Sequence, residues 1–231
     1  MDPRFTYCII LACSLAGPLA LSFDRKVAFF KKWKYLFPAM LFPAALYIAW
    51  DVYFTSTGIW RFNENYITGI RFFNLPLEEV LFFFVVPYCC VFIYECVRCY
   101  FPNLRESRKS VFILLLLGVL LLGSGFFYYN RHYTSWTFTL NGLFIIIIFL
   151  RKAWFRNFNS AAFLFSWLII LVPFLAVNGF LTAIPVVIYN NAENLGIRIF
   201  SIPFEDIFYG MLLILLNIVL FEKLRSRLSK T

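Results

Sequence analysis

Hydrophobic residues fall in seven long runs, separated by short polar and basic segments. A transmembrane helix needs about 20 mostly apolar residues, because it rises about 1.5 Å per residue through a hydrocarbon core about 30 Å thick. The pattern therefore predicts seven transmembrane helices. They cover approximately residues 4–22, 36–57, 76–97, 111–129, 133–150, 161–183 and 203–222.

The first run also has the length of a signal peptide. However, the segment before it carries both Asp2 and Arg4, and residues 19–23 offer no small-x-small cleavage site. We therefore interpret this run as a transmembrane helix.

The composition favours the same class of protein. Of the 231 residues, 62% are hydrophobic, 14% are charged and 31 are phenylalanine. Soluble domains usually contain roughly 45–50% apolar and about 25% charged residues, and disordered chains are polar and poor in aromatics. The sequence therefore predicts an all-α polytopic membrane protein and excludes a soluble domain or a disordered chain.

The net charge of +9 is distributed unevenly between the two predicted sides of the membrane. Sixteen Lys and Arg residues lie on one side and five on the other. The sixteen are Arg25, Lys26, Lys31, Lys32, Lys34, Arg98, Arg105, Arg108, Lys109, Arg151, Lys152, Arg156, Lys223, Arg225, Arg227 and Lys230. By the positive-inside rule, this predicts a plasma (inner) membrane protein with an external amino terminus and a cytoplasmic carboxyl terminus. Nucleic acid is not predicted as a partner.

An internal repeat becomes visible when the chain is shifted by 127 residues. Residues 69–79 then align with 196–206 without a gap, so that Pro-Leu-Glu-Glu lies over Pro-Phe-Glu-Asp. The same shift places Asp51 on Asn178, Glu95 on Glu222, and Arg98 on Arg225. A chance likeness of two helix starts would not align polar residues at both ends of one helix and within another.

The repeat predicts two three-helix units joined by a linking helix, a 3+1+3 arrangement. The units cover residues 1–102 and 132–231, and the linker covers 103–131. One linking helix makes the two units parallel, related by an axis along the membrane normal. We therefore expect matching side chains to lie at the same depth and a functional site at the interface of the units.

Five acidic residues within or at the mouths of the predicted helices are the candidate functional groups. A charge at the centre of the bilayer costs roughly 2.5–3.5 kcal/mol or more, so an intramembrane acid suggests function by default. These acids are Asp51, Glu78, Glu79, Glu205 and Asp206. Capping of a helix amino terminus is the alternative role for the paired acids. Since neighbours on a helix point about 100° apart, one acid of each pair can cap while the other faces inward. We favour Glu78 and Glu205 as the inward pair because they are identical in both units.

Two further sets of charged residues accompany the acids. Arg71 and Arg198 precede Glu78 and Glu205 by seven residues, and they either pair with an acid or serve as ordinary interfacial arginines. At the opposite ends of the same helices, Glu95 and Glu222 stand three residues before Arg98 and Arg225. We interpret these as surface ion pairs within one helix.

Signatures of cofactors and metals are missing from the sequence. His132 is the only histidine, and there is no Gly-x-Gly-x-x-Gly motif or aspartate-rich magnesium motif. The sequence therefore identifies no metal or other cofactor. The remaining chemistry is carboxyl groups among aromatic rings, including Trp50 and Trp60, which either stabilise a cation or form the interfacial aromatic belt.

Pro76-Leu77-Glu78-Glu79, preceded by Gly69-Ile70-Arg71, and its second copy Pro203-Phe204-Glu205-Asp206 resemble the heteromeric-type lycopene cyclases. These are membrane proteins without an FAD domain, and the chain resembles their fused form over nearly its whole length. The resemblance implies that lycopene is converted to γ-carotene and β-carotene by acid–base cyclisation. It places Glu78, Glu79, Glu205 and Asp206 at the catalytic carboxyl positions. Asp51, Asn178, Arg71, Arg198, Trp50 and Trp60 are candidates for substrate binding or support of the acids.

Other functions stay open at this level. A 3+1+3 repeat is also the layout of small-solute transporters, although Pro38 and Pro43 do not recur in the second unit. A cyclase that makes ε rings or closes one end is another possibility, and so is an assembly protein of carotenoid membranes. The partners expected of a cyclase are a C40 carotenoid from the lipid phase, membrane lipids and other carotenoid enzymes.

Overall fold

Seven long helices dominate the computed structural model, which describes residues 2–228. The helices are α1 (Thr6–Leu21), α2 (Trp33–Ser56), α3 (Leu77–Tyr100), α4 (Arg108–Phe127), α5 (His132–Leu150), α6 (Ser160–Ala183) and α7 (Glu205–Leu228). All seven are long and apolar enough to cross a membrane. Each overlaps one predicted run, so the predicted number and order of helices are confirmed.

The largest difference in a boundary is at the end of α7, which continues to Leu228 rather than stopping near residue 222. Lys223 breaks the apolar run, but a charge does not end a helix when the side chain has polar surroundings. In this last turn Arg225 binds a carboxylate on α3. Helix α7 therefore extends beyond its apolar residues.

The helices that carry the acid motifs, α3 and α7, lie at the centre of the bundle. Helix α1 packs against α3, and α5 packs against α7. Across the middle, α2 packs against α7 and α3 packs against α6. Helix α4 lies mainly on α5, where a Cβ added to Gly142 would come within 2.5 Å of the Gly118 carbonyl oxygen. The two motifs consequently begin side by side at one end of the bundle, here called the motif end.

The prediction of an all-α protein misses six short strands at the motif end. They form three antiparallel pairs: β1 (Trp60–Phe62) with β4 (Val187–Tyr189), β2 (Arg71–Phe72) with β3 (Leu75–Pro76), and β5 (Arg198–Ile199) with β6 (Ile202–Pro203). The β2–β3 and β5–β6 hairpins turn tightly at Phe73 and Phe200, which have left-handed φ angles of 56° and 55°. Backbone pairing gives N–H and C=O groups of these loops hydrogen-bond partners within the protein.

The β1–β4 pair joins the two halves of the chain. Arg61 lies opposite Ile188 at its centre, and these positions are themselves 127 residues apart. A segment that pairs with its own repeat in this way has a local two-fold relationship. Trp60 and Phe62 of β1 and Val187 and Tyr189 of β4 line the cavity beneath it. The strand pair therefore forms a roof over the start of α3 and α7.

At the opposite end, the interpretation of Glu95 and Glu222 as partners of their own helix is wrong. Glu95 binds Lys32 and, at 2.9 Å, Arg225 of α7, while Glu222 binds Arg98 of α3. Both carboxylates are buried, at 1% and 5% exposure. The pairs cross between helices because α3 and α7 lie close enough for each arginine to reach the other helix. Lys230, counted with the basic side, lies outside the described residues.

Candidate active site

Three carboxyl groups meet in a narrow slot beneath the β1–β4 pair. Asp51 from α2, Glu79 from α3 and Asp206 from α7 line a cavity of about 40 Å³. Their exposed fractions are 2%, 7% and 2%. The slot is largely walled by aromatic rings, which are those of Tyr7, Trp60, Phe62, Phe82, Tyr133, Phe174, Tyr189 and Tyr209. The site is therefore a buried chamber with three acids and little free volume.

Asp51 and Glu79 form a carboxyl pair with a tyrosine on each side. The Glu79 and Asp51 carboxyl groups adjoin each other in the slot, and Tyr7 donates to Glu79 Oε2 at 2.6 Å. Tyr209 donates to Asp51 Oδ1 at 2.5 Å. Two like charges held this close in a buried site are costly, so adjacent carboxyl groups tend to share one proton. The pair is thus a place where a single proton can be stored.

Asp206 has a different environment from this pair. Tyr133 donates to its Oδ1 at 2.5 Å and Tyr189 to its Oδ2 at 3.0 Å. Burial, followed by the adjacent Asp206 carboxyl, raises the pKa of the Tyr189 hydroxyl well above its ordinary value, so this tyrosine keeps the proton that it donates. Asp206 therefore acts as a hydrogen-bond acceptor on both oxygens.

The expectation that Glu78 and Glu205 face inward is wrong, because it is their neighbours that line the slot. Glu78 Oε1 accepts the backbone N–H of Thr68 at 2.7 Å, and Glu205 Oε1 accepts that of Leu195 at 2.7 Å. Thr134 also donates to Glu205 at 2.5 Å. The rotation of about 100° per residue permits only one acid of each pair to face the slot. The other acid attaches the preceding loop to the first turn of the helix.

The arginines before the motifs do not contact the motif acids. Arg71 binds the carboxylate of Glu64 and donates to the carbonyl oxygen of Asn74 at 2.8 Å. Arg198 does the equivalent, donating to the Asn191 side chain at 2.6 Å and the Ser201 carbonyl at 2.8 Å. Arg71 does pair with an acid, but one in its own loop. Both arginines stabilise the hairpins that lead into α3 and α7.

The other predicted residues divide into those that line the slot and those behind it. Asn178 lines the slot, with its Nδ2 donating to the carbonyl oxygen of Phe174 at 3.0 Å. Trp60 also lines it, with its ring centroid 5.2 Å from that of Tyr133. Trp50 stands behind the wall and packs on the Tyr209 ring at 5.3 Å. The structure thus brings Asn178 and Trp60 to the acids and gives Trp50 a supporting position.

Sequence reasoning did not assign the tyrosines that bind the acids to the site. A signal was present for two of them. Tyr7 and Tyr133 are 126 residues apart, and so are Cys8 and Thr134, which contact Glu78 and Glu205. The offset differs by one residue from the 127 of the acid motifs. A search that tolerated a single gap would have aligned these residues.

The two halves supply unequal groups to the slot. Tyr209 and Asp51 are joined by a hydrogen bond, and the shift of 127 residues places them on Phe82 and Asn178. The first half thus gives two adjacent acids, whereas the second gives one acid between two tyrosines. An aromatic slot with a proton store on one side and an acceptor on the other can exchange protons with an apolar molecule.

Comparison with known proteins adds an independent observation. The family model described as lycopene cyclase matches the chain in two segments, residues 4–97 and 130–224. The unmatched residues between them contain α4. No solved structure matches the chain.

Several curated relatives carry the name bifunctional lycopene cyclase/phytoene synthase. The protein from Aspergillus niger is 27% identical over 84 residues, which cover 34% of this chain and 14% of the relative. The protein from Arthroderma gypseum is 26% identical over 105 residues, covering 37% and 18%. That from Pyrenophora tritici-repentis is 44% identical over 41 residues, covering 18% and 7%. The matched part is thus less than a fifth of each of these relatives' length. The two segments matched by the family model span most of the chain. This chain therefore belongs to the lycopene cyclase family.

Proposed function

We propose that this protein is a lycopene cyclase that converts the linear ψ end groups of lycopene into β-ionone rings, giving γ-carotene and then β-carotene. The reaction is an isomerisation without net redox change, in the intramolecular lyase class. The observation that carries the proposal is the meeting of Asp51, Glu79 and Asp206 in one buried aromatic slot. Membership of the lycopene cyclase family supports the same activity.

The reaction begins with transfer of a proton to the terminal alkene of the substrate. The Asp51–Glu79 pair is the donor in this proposal, because two adjacent buried carboxyl groups share one proton at lower cost than both ionise. The proton forms a C–H bond at one alkene carbon and leaves a tertiary cation at the other. Burial favours this step because a proton donor surrounded by apolar groups is not levelled by water.

Ring closure and proton loss complete the reaction. The electron pair of the next double bond attacks the cation and forms the ring bond, which moves the positive charge into the new ring. A base then removes one ring proton, and those C–H electrons become the ring double bond. Asp206 is the base in this proposal, since both of its oxygens already accept hydrogen bonds as a carboxylate does. The atoms of the substrate and product are the same in number.

The rings around the slot protect the cation. Aromatic faces attract a cation by about 2 kcal/mol or more when water is absent. The rings of Trp60, Tyr133 and Tyr209 pack edge to face, with centroids 5.2–6.1 Å apart. They also exclude the water that would otherwise capture the cation as an alcohol. This supports a cyclisation rather than a hydration.

The proposed organisation is two parallel three-helix units joined by α4, in the plasma membrane with the motif end outside. The two separate family matches support the repeat, as does the recurrence of the contacts of Glu78 and Arg71 at Glu205 and Arg198. The uneven distribution of Lys and Arg supports the orientation. Lycopene then enters from the lipid phase, and neighbouring carotenoid enzymes supply it.

The decisive experiment is pigment analysis of a lycopene-producing host. Expression of the wild-type chain should convert red lycopene to β-carotene, identified by chromatography and absorption spectrum. Glu79→Gln and Asp206→Asn should leave lycopene unchanged, because an amide cannot exchange a proton as a carboxyl group does. Tyr53→Phe, an aromatic change at a 46% exposed residue outside the slot, is the matched control.

Two outcomes would contradict the proposal. A wild-type chain that accumulates in the membrane without altering lycopene would exclude the activity. Normal β-carotene yield in both amide variants would keep the activity and exclude the acid–base mechanism. ε-Carotene or a monocyclic product would correct the ring type while leaving the reaction class in place.

A further inference from the structure

A second cavity lies next to the acid slot. It is a groove of about 180 Å³ between α1, α3 and α6, lined by apolar side chains that include Pro18, Val86, Ile93, Ile170 and Val177. The groove follows α3 from Val86 to Ile93, a length of about 10 Å at the rise of a helix. Its lining includes no charged residue. An apolar chain is therefore the kind of molecule that its wall can hold without leaving a polar group unpaired.

Phe174 and Asn178 line both the groove and the acid slot. Phe174 is 6% exposed and its ring lies directly against the backbone of Gly210 on α7. A Cβ added at Gly210 would come within 2.3 Å of the end of that ring. The Phe174 ring is therefore the partition between the two cavities, and glycine at 210 provides the space in which it stands.

The repeat contains a different arrangement at the equivalent place. Phe174 corresponds to Tyr47, and Gly210 corresponds to Phe83, under the shift of 127. Tyr47 and Phe83 pack ring against ring, with centroids 5.5 Å apart, and Tyr47 donates to the carbonyl oxygen of Tyr209 at 2.8 Å. The rings of Trp50, Phe83 and Tyr209 and one hydrogen bond hold Tyr47 in place. Phe174 packs on the Trp167 ring, with centroids 6.1 Å apart, and against Gly210, and rotation of its side chain breaks no hydrogen bond.

The slot as it stands is too small for the end group that would react in it. One water needs about 10–15 Å³ of cavity volume, so a slot of 40 Å³ holds only a few waters. A cyclising end group has nine or more carbon atoms. The slot must therefore enlarge, and the groove beyond Phe174 is the adjoining space.

From these contacts we infer that the groove holds the polyene chain of the substrate and that Phe174 is the gate through which an end group reaches the acids. This inference rests on the proposed function. The occupant is a long conjugated hydrocarbon rather than a phospholipid acyl chain, because the groove continues into a chamber with reactive carboxyl groups. Turning the Phe174 ring away would join the two volumes into one passage.

The test compares tryptophan substitutions in two apolar grooves of the same bundle. Val177→Trp and Ile93→Trp fill the proposed polyene groove from opposite walls. Val85→Trp fills another groove, between α1, α2 and α3, which shares no lining residue with the acid slot. In membranes supplied with lycopene, we expect kcat/KM to fall roughly tenfold to a hundredfold in the first two variants and to stay at the wild-type level in the third. Melting temperature in detergent checks that each variant is folded.

A binding measurement separates substrate loading from chemistry. In the background of Glu79→Gln, which should bind but not convert, lycopene that copurifies is measured from its absorption spectrum. Val177→Trp should remove this lycopene and Val85→Trp should retain it. Phe174→Trp enlarges the gate residue, and in the otherwise wild-type chain it should lower kcat/KM for lycopene in the membrane assay.

The outcomes distinguish this inference from the proposed function. If the wild type and Val85→Trp cyclise lycopene while folded Val177→Trp and Ile93→Trp do so equally well, the groove inference is overturned and the cyclase proposal stands. If neither the wild type nor Val85→Trp converts lycopene, the proposed function itself fails, and the groove inference fails with it. Equal lycopene in the groove-filled and control Glu79→Gln proteins would assign the groove to lipid instead.

Discussion

Tyr209 on α7 donates a 2.5 Å hydrogen bond to Asp51 on α2, and the bond joins the second half of the chain to the carboxyl pair of the first. The repeat does not reproduce it, because Phe82 and Asn178 occupy the equivalent positions. A site built from two similar halves thus contains one distinct proton store. In the proposed mechanism, the position of the proton before reaction depends on this contact.

Removal of the Tyr209 hydroxyl should therefore impair chemistry more than folding. Tyr209→Phe keeps the ring that packs on Tyr47 and Trp50 but removes the donor to Asp51. A hydrogen bond to a charged group contributes about 1.5–3 kcal/mol, so we expect kcat to fall about 10- to 100-fold. Rates of β-carotene formation by Tyr209→Phe and by the exposed control Tyr53→Phe provide the comparison. A Tyr209→Phe rate equal to that of the control would remove Tyr209 from the proposed donor site.

The two acids of the first motif should respond differently to the same substitution. Glu79→Gln should abolish conversion with little change in melting temperature, because Glu79 faces the slot. Glu78→Gln should keep an oxygen for the Thr68 N–H but bury an amide N–H₂ where Glu78 Oε2 has no partner among residues 2–228. We expect a loss of about 1–3 kcal/mol in unfolding free energy, with activity per folded molecule retained. Thermal unfolding in detergent and rates normalised to folded protein measure both effects.

The crossed ion pairs at the other end predict a stability effect without an activity effect. Arg225→Met would leave Glu95, which is 1% exposed, with Lys32 as its remaining cation. Because a buried carboxylate loses a partner, we expect unfolding free energy to fall by about 1–3 kcal/mol. Lys152→Met is the control, since Lys152 is 72% exposed in its pair with Glu106 and such pairs contribute about 0–1 kcal/mol. Equal melting temperatures for the two variants would show that the crossed pairs do not hold α3 to α7.

The proposed acid–base cycle predicts incorporation of hydrogen from solvent. One proton is added to the alkene and a different one is lost from the ring, so a reaction in D₂O should place one deuterium in each new ring. Mass spectrometry of β-carotene should then show two added deuterium atoms per molecule formed from lycopene. Product without deuterium would mean that the proton added and the proton removed never exchange with water. Recovery of labelled but uncyclised lycopene would show that protonation is reversible.

The sequence by itself determined the class of the molecule. Seven apolar runs require seven helices, because backbone N–H and C=O groups in hydrocarbon must be bonded within the segment. The repeated Pro-x-Glu-Glu/Asp motif was enough to place acids at the start of two helices. The family resemblance and the spacing of the acids depend only on the order of residues along the chain, which the sequence gives directly.

Only the tertiary structure decided which acid of each pair faces the slot and what each acid contacts. Identity between the halves favoured Glu78 and Glu205, but the phase of a helix relative to its neighbours is set by packing, and it turned Glu79 and Asp206 inward. The partners of Glu95 and Glu222 depended likewise on the distance between α3 and α7 rather than on spacing within one helix. The four tyrosines that bind the slot acids come from distant segments of the chain. Such contacts arise when the bundle closes, so even the offset that relates Tyr7 to Tyr133 does not show which acid each tyrosine binds.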